Sequence, residues 1–202
     1  MDDFLATFIF FFAVIDPIGT VPVFIAVTKN YDAKVKREIA VKATLISAAV
    51  LLFFVVAGEL ILTAIDIPLS AFKVAGGIVL FLFALTMIFG DSKPDEEIKL
   101  ARTGTETAIF PLAVPSIASP GAILGAVLLT ENDRYNIWQQ LQTSAIMLLV
   151  LVVVLLFLLG AARIHRLIGN NGASLISRVM GLILASVAVS SVLAGIKEYF
   201  AL

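Results

Sequence analysis

Long stretches without a single charged side chain narrow the folds open to this chain more than any other feature. Phe4 to Ile15, Ala43 to Gly58, Val74 to Gly90, Thr107 to Thr130, Asn136 to Ala162 and Val179 to Ile196 contain no Lys, Arg, Asp or Glu. Several of them approach the roughly 20 residues that cross about 30 Å of hydrocarbon as a helix. Sixty per cent of the 202 residues are hydrophobic and 14% are charged. That balance points to lipid, not water, as the solvent of the fold. A net charge of −1 without a basic tract argues against nucleic acid as a partner. With no cysteine, disulfides, thiol catalysis and thiolate metal sites are excluded.

The pattern predicts an all-α membrane protein with six transmembrane helices. They cover Phe4 to Thr28, Ile39 to Ile65, Ser70 to Phe89, Thr107 to Thr130, Trp138 to Ala162 and Ser177 to Phe200. The longest hydrophilic connection, Gly90 to Glu106, is too short for a second folded domain, so residues 1–202 read as one transmembrane domain. Asp2 and Asp3 stand where a signal peptide would be basic, so the chain is expected to be mature structure from Phe4 onward.

Positive loops are retained in the cytoplasm. Lys29, Lys34, Lys36, Arg37 and Lys42, then Lys93, Lys99 and Arg102, then Arg163, Arg166 and Arg178 fall on one side; Lys73, Arg134 and Lys197 fall on the other. This bias places the protein in the cell (inner) membrane as a multi-pass protein with both termini outside and residues 90–106 as a cytoplasmic loop. Tyr31, Tyr135, Trp138 and Tyr199 fall at segment ends, where amphipathic rings favour the headgroup level.

The two halves, about 4–90 and about 107–200, repeat. Asp16-Pro17-Ile18-Gly19 in segment one meets Ser119-Pro120-Gly121-Ala122 in segment four at an offset of 103, and Lys73-Val74-Ala75-Gly76-Gly77 meets Arg178-Val179-Met180-Gly181-Leu182 at 105. A unit of three crossings forces its second copy into the membrane upside down, giving a 3+3 inverted repeat, an arrangement found in secondary transporters.

Proline removes a backbone donor and drives the residue before it out of α geometry. Asp-Pro and Ser-Pro are also N-cap and first-turn pairs. Segments one and four are therefore expected to break at mid-membrane and restart, with Pro22, Pro111 and Pro115 lengthening the interruptions. A restarting half-helix offers free N–H groups and the positive end of its dipole, which suits an anion. Asp16, Pro17, Ile18, Gly19 and Thr20, with Ser116, Ser119, Pro120, Gly121 and Ala122, are thus the candidate substrate-binding residues. Asp16 is the candidate for a substrate ammonium group or a coupling ion, since an intramembrane carboxylate is expensive and functional by default. A small carboxylate fits the half-helix ends, and a small zwitterionic amino acid fits the whole set.

Glu59 is expected to pair with Lys73. Gly76, Gly77, Gly181, Ser186 and Ser190 read as small-residue packing faces, and His165 as a solvated loop residue between Arg163 and Arg166. Enzymatic readings lack parts. One histidine and no cysteine build no metal cluster of the usual ligands, Ser116 and Ser119 have no histidine base in the membrane, and an intramembrane aspartyl protease needs a second aspartate. No cofactor is expected.

Three motifs carry a family resemblance: Asp16-Pro17-Ile18-Gly19 followed by Val21-Pro22-Val23-Phe24; Ala71-Phe72-Lys73-Val74-Ala75-Gly76-Gly77; and Pro111 with Pro115 ahead of Ser119-Pro120-Gly121-Ala122. Together the chain resembles the MarC family of bacterial and archaeal membrane proteins over essentially its whole length. The resemblance implies an inner-membrane protein that moves glycine, alanine or similar small neutral amino acids, coupled to protons in some members. Many such relatives carry Asn where Asp16 stands, and their second turn usually begins with Gly where this chain has Ser119. The expected partners are a small amino acid substrate, a proton or other cation, the lipid bilayer and, in a homo-oligomer, further copies of the chain. The competing class is a channel, a proton leak or a non-transporting membrane factor linked to drug tolerance.

Overall fold

The computed structural model describes residues 2–89, 112–132 and 134–200. The expected loop 90–106, Pro111 and the start of the fourth segment lie outside the described residues. Helix α1 (Asp2–Ile15) gives way at Asp16 to α2 (Pro17–Val27); α3 (Ala33–Ala64) and α4 (Leu69–Phe89) follow. After a π-helical turn (Leu112–Ile117) come α5 (Pro120–Leu128), α6 (Ile137–Leu159) and α7 (Ala161–Tyr199). Among the described residues, five helical segments are long and apolar enough to cross a bilayer: Phe4–Val27, Ala33–Ala64, Leu69–Phe89, Ile137–Leu159 and Asn171–Tyr199.

Burial sorts these segments into centre and rim. In its most apolar window Phe4–Val27 is 67% buried, against 17% for Ala33–Ala64, so the broken first segment forms the centre. Outward surfaces are apolar, with Phe53, Val56, Leu60, Leu156 and Leu193 each more than half exposed. Asp16, Thr20, Ser47, Ser116, Ser119 and Ser177 are meanwhile buried. Apolar residues outside and hydroxyls inside is the distribution a lipid solvent selects, because an apolar surface this extensive is not left facing water.

Helices α4 and α7 lie against each other along most of their length through small residues. A Cβ on Gly77 would sit 2.7 Å from Val192 and 2.9 Å from the Ala188 carbonyl; one on Gly181 would sit 2.9 Å from Met87; one on Gly195 would sit 2.7 Å from the Ser70 carbonyl. The contacts fall in α7 as they rise in α4, so the pair is antiparallel. Gly77 and Gly181 therefore do pack helices together, by van der Waals approach of backbones. Gly76 instead receives Leu124 of α5. Ser186 and Ser190 correct the expectation: both are exposed, and the Ser186 hydroxyl donates to the Leu182 carbonyl of its own helix. Gly77→Ala is expected to destabilise the protein by about 1–3 kcal/mol, because the obstructing Ala188 carbonyl is backbone and cannot swing aside. Thermal unfolding of the purified protein in detergent measures the loss.

Two further expectations change. The connection between segments five and six is helical, since α7 begins at Ala161 and bends at Gly169 (φ 67°, ψ 175°), a geometry glycine adopts without a Cβ clash. His165 is therefore a half-buried helical residue and not a solvated loop residue. Pro22 does not lengthen the first break but sits inside α2.

Candidate functional site

The first break is one residue wide. The Asp16 N–H still donates to the Phe12 carbonyl at 3.0 Å, closing the last turn of α1, but the Asp16 backbone is left-handed (φ 50°, ψ 68°). Aspartate and asparagine are the non-glycine residues that visit this region most readily, which gives a backbone reason for either amino acid here. Pro17, with no N–H to satisfy and φ already suited, starts α2. Asp16 Oδ1 accepts from the Gly19 N–H at 3.0 Å, an N-cap, and Thr20 Oγ1 donates to the Asp16 carbonyl at 3.0 Å. Its other oxygen, Oδ2, accepts from the Ser177 hydroxyl of α7 at 2.7 Å.

The second break is longer. Val114 is extended (φ −141°, ψ 121°) within the π-helical turn, the Val114–Pro115 peptide is cis, and the Ala118 N–H reaches back to the Ala113 carbonyl at 2.9 Å. Ser119 (φ −70°, ψ 159°) caps α5 by accepting from the Ala122 N–H at 3.2 Å. Its hydroxyl hydrogen goes across the bundle to the Val14 carbonyl at 2.7 Å, near the end of α1. Ser47 of α3 donates to the Ala113 carbonyl at 3.0 Å. Unwound backbone inside a membrane protein requires such side-chain partners.

The two breaks cross. Ser119 bonds Val14, Ser116 Oγ lies 3.4 Å from Thr20 Oγ1, and a Cβ on Gly121 would meet Val14 at 3.2 Å. Phe10 packs on Gly125. Partners on the first segment fall as those on the second rise, so the segments run antiparallel and touch where each is interrupted. Asp16, Pro17, Gly19, Thr20, Ser116, Ser119, Gly121 and Ala122 are all buried, Ile18 is half-buried, and Pro120 is exposed. Eight of the ten candidate residues thus share one buried region, which in this conformation is filled by protein groups. Each restart is capped at one N–H by its own side chain, that of Gly19 by Asp16 and that of Ala122 by Ser119.

Ser47 and Ser177 were missed by the sequence reading. Each lies on a helix remote in sequence from its partner, and neither carries a local signal. The buried carboxylate at Asp16 does imply a second donor, since buried polar groups are paired, but it does not say which.

Lys73 does not pair with Glu59. Its ammonium group meets Glu198 Oε2 at 2.8 Å and Glu131 Oε2 at 3.3 Å, while Glu59 Oε2 accepts from the Asn132 N–H at 2.8 Å. The pairing fails because Lys73 lies on the buried side of α4, 6% exposed, and Glu59 is engaged by the α5–α6 connection.

A cavity of about 720 Å³ opens beside the start of α1 and the start of α6, with Phe4, Thr7, Phe10, Tyr135, Gln142 and Thr143 in its wall. Among the described residues, no charged side chain lines it. Phe10, which rests on Gly125, is among the residues lining it. From there α1 runs about 9 Å, six residues at 1.5 Å each, to Asp16.

Comparison with known proteins agrees with this architecture. The MarC family integral membrane protein profile matches residues 1–200. A UPF0056 membrane protein of Methanocaldococcus jannaschii is 36% identical over 197 residues, covering 96% of both chains. The UPF0056 inner membrane protein YhgN of Escherichia coli K12 is 33% identical over 199 residues, 98% of each. YvbG of Bacillus subtilis, also a UPF0056 membrane protein, is 35% identical over 198 residues, 96% of this chain and 93% of its own. No solved structure matches. With its full length matched and its breaks built from the motifs that first suggested the resemblance, the chain belongs to the MarC family of integral membrane proteins.

Proposed function

We propose that this protein is a secondary transporter of small neutral amino acids such as glycine and alanine. It works by alternating access about the crossed breaks, with a proton as the coupling ion, in the inner membrane with both termini outside. The observation that carries the reading is the meeting of two half-helix N-termini, one capped by Asp16 and one by Ser119, in a buried region tied by the Ser119–Val14 and Ser116–Thr20 contacts. Backbone donors and dipole ends suit a carboxylate, and Asp16 suits an ammonium group.

The 3+3 inverted repeat belongs to this proposal. It is supported by offsets of 103 and 105 between the motifs and by the antiparallel pairing of α1 with α5 and of α4 with α7. In such a repeat each half supplies one break to a shared site, and rocking one bundle of helices against another exposes that site to either face. The cavity beside the starts of α1 and α6 is the vestibule of this reading. The described wall of that vestibule is polar and apolar without charge, which suits a neutral solute better than an ion.

Purified protein in liposomes is expected to take up radiolabelled glycine and alanine in a saturable way, faster with an imposed proton gradient. Absence of saturable uptake of any small amino acid would sink the proposal, and linear uptake without saturation would favour a channel. A reporter fused after Leu202 is expected to read outside the cytoplasm, and a cytoplasmic signal would overturn the orientation.

A further inference from the structure

Lys73 is buried on α4, yet two carboxylates share its charge. Glu198, in the last turn of α7, holds it through both oxygens at 3.1 and 2.8 Å. Glu131, just beyond α5 and 8% exposed, approaches it at 3.3 Å through an Oε2 that makes no hydrogen bond. The contact with Glu131 is therefore ionic and poorly aligned, whereas that with Glu198 is ionic and hydrogen-bonded.

These two carboxylates belong to different bodies. Glu198 and Lys73 sit on α7 and α4, which are zipped together backbone to backbone at Gly77, Gly181 and Gly195. Glu131 follows α5, which meets its neighbours through side chains, Val127 on Gly58 of α3 and Leu124 on Gly76 of α4, and not backbone to backbone; Asn132, next to Glu131, is held by Glu59 of α3. We propose that the Lys73–Glu131 contact is a latch between these two bodies, and that Glu198 is the partner that lets it open.

Separating a lone buried ion pair leaves an uncompensated charge and is strongly unfavourable. Here the lysine keeps Glu198 when Glu131 leaves. Glu131, for its part, lies on the wall of a cavity of about 360 Å³ that it shares with Glu59 and Asp66, so water can solvate the released carboxylate. The facing charges are thus Glu59 and Asp66 from α3 and its end, Lys73 from α4 and Glu198 from α7; the two acids on the cavity wall repel Glu131 and weaken the closed state. The latch rests on the alternating-access reading only in requiring that α5 move against α4 and α7.

The native chain has no cysteine, so a spin-label pair at Asn132→Cys and Tyr199→Cys, both exposed positions, reports this separation directly. Glu131→Gln is expected to add a longer-distance population in liposomes without substrate, and Glu131→Asp, which shortens the reach to Lys73, a smaller one. Glu198→Gln is expected to add none, because it leaves Lys73 with Glu131 as its remaining partner. An unchanged distribution in both Glu131 variants, or the same long population in Glu198→Gln, would overturn the latch. Distances are read without transport, so this result is independent of whether amino acids are carried.

Discussion

Gly19→Ala is expected to abolish uptake and to lower the melting temperature by roughly 5–15 °C. The added Cβ would lie 2.5 Å from the Ser177 hydroxyl and would overlap the Asp16 carboxylate. Both are fixed, the carboxylate by the Gly19 N–H and the hydroxyl by the carboxylate. The substitution therefore removes a cap of about 1 kcal/mol together with a buried hydrogen bond to a charged group of about 1.5–3 kcal/mol. Melting in detergent and uptake in liposomes measure the two effects. A variant that melts and transports like the parent would show that Asp16 and Ser177 do not occupy these positions.

Asp16→Ala and Asp16→Asn separate the backbone role of this residue from its charge. Alanine loses the cap and is strained in the left-handed region by about 1–2 kcal/mol, so Asp16→Ala is expected to lose stability and to fall about tenfold or more in uptake. Asparagine keeps the left-handed preference and a carbonyl oxygen to cap Gly19. Asp16→Asn is therefore expected to melt close to the parent. Its uptake should lose the pH dependence of the parent if the carboxylate carries the coupling proton. Unchanged uptake at every pH would reduce Asp16 to a cap.

Much of this was legible because the chain's chemistry is coarse where lipid is the solvent. Charge-free stretches located the described spans, and Asp-Pro and Ser-Pro located both restarts, since proline and a short acceptor side chain act within one turn of their own position. Tyr135, Trp138 and Tyr199 do stand at helix ends. What the sequence hid is whatever depends on helix rotation. Ser177 and Ser47 reach the breaks from α7 and α3, and nothing in their own neighbourhoods marks that face. The choice of Glu131 and Glu198 over Glu59 for Lys73 depends on which side of α4 is buried. Pro22 misled because a membrane-spanning helix tolerates an internal proline without ending there.

The resemblance and the geometry bear on different parts of the account. Family membership establishes an integral membrane protein, and the crossed breaks nominate a buried site. A membrane factor without transport would have no use for two restarting helices meeting at one depth, each at the cost of an interrupted backbone ladder inside lipid. That expense is the physical reason for preferring a carrier.

Counterflow tests alternating access most directly. Liposomes containing the protein are loaded with unlabelled glycine and diluted into a trace of labelled glycine with no ion gradient. The account predicts a transient accumulation of label above equilibrium, because a site that faces one side at a time returns loaded. Label that merely equilibrates, or does not enter, would contradict it.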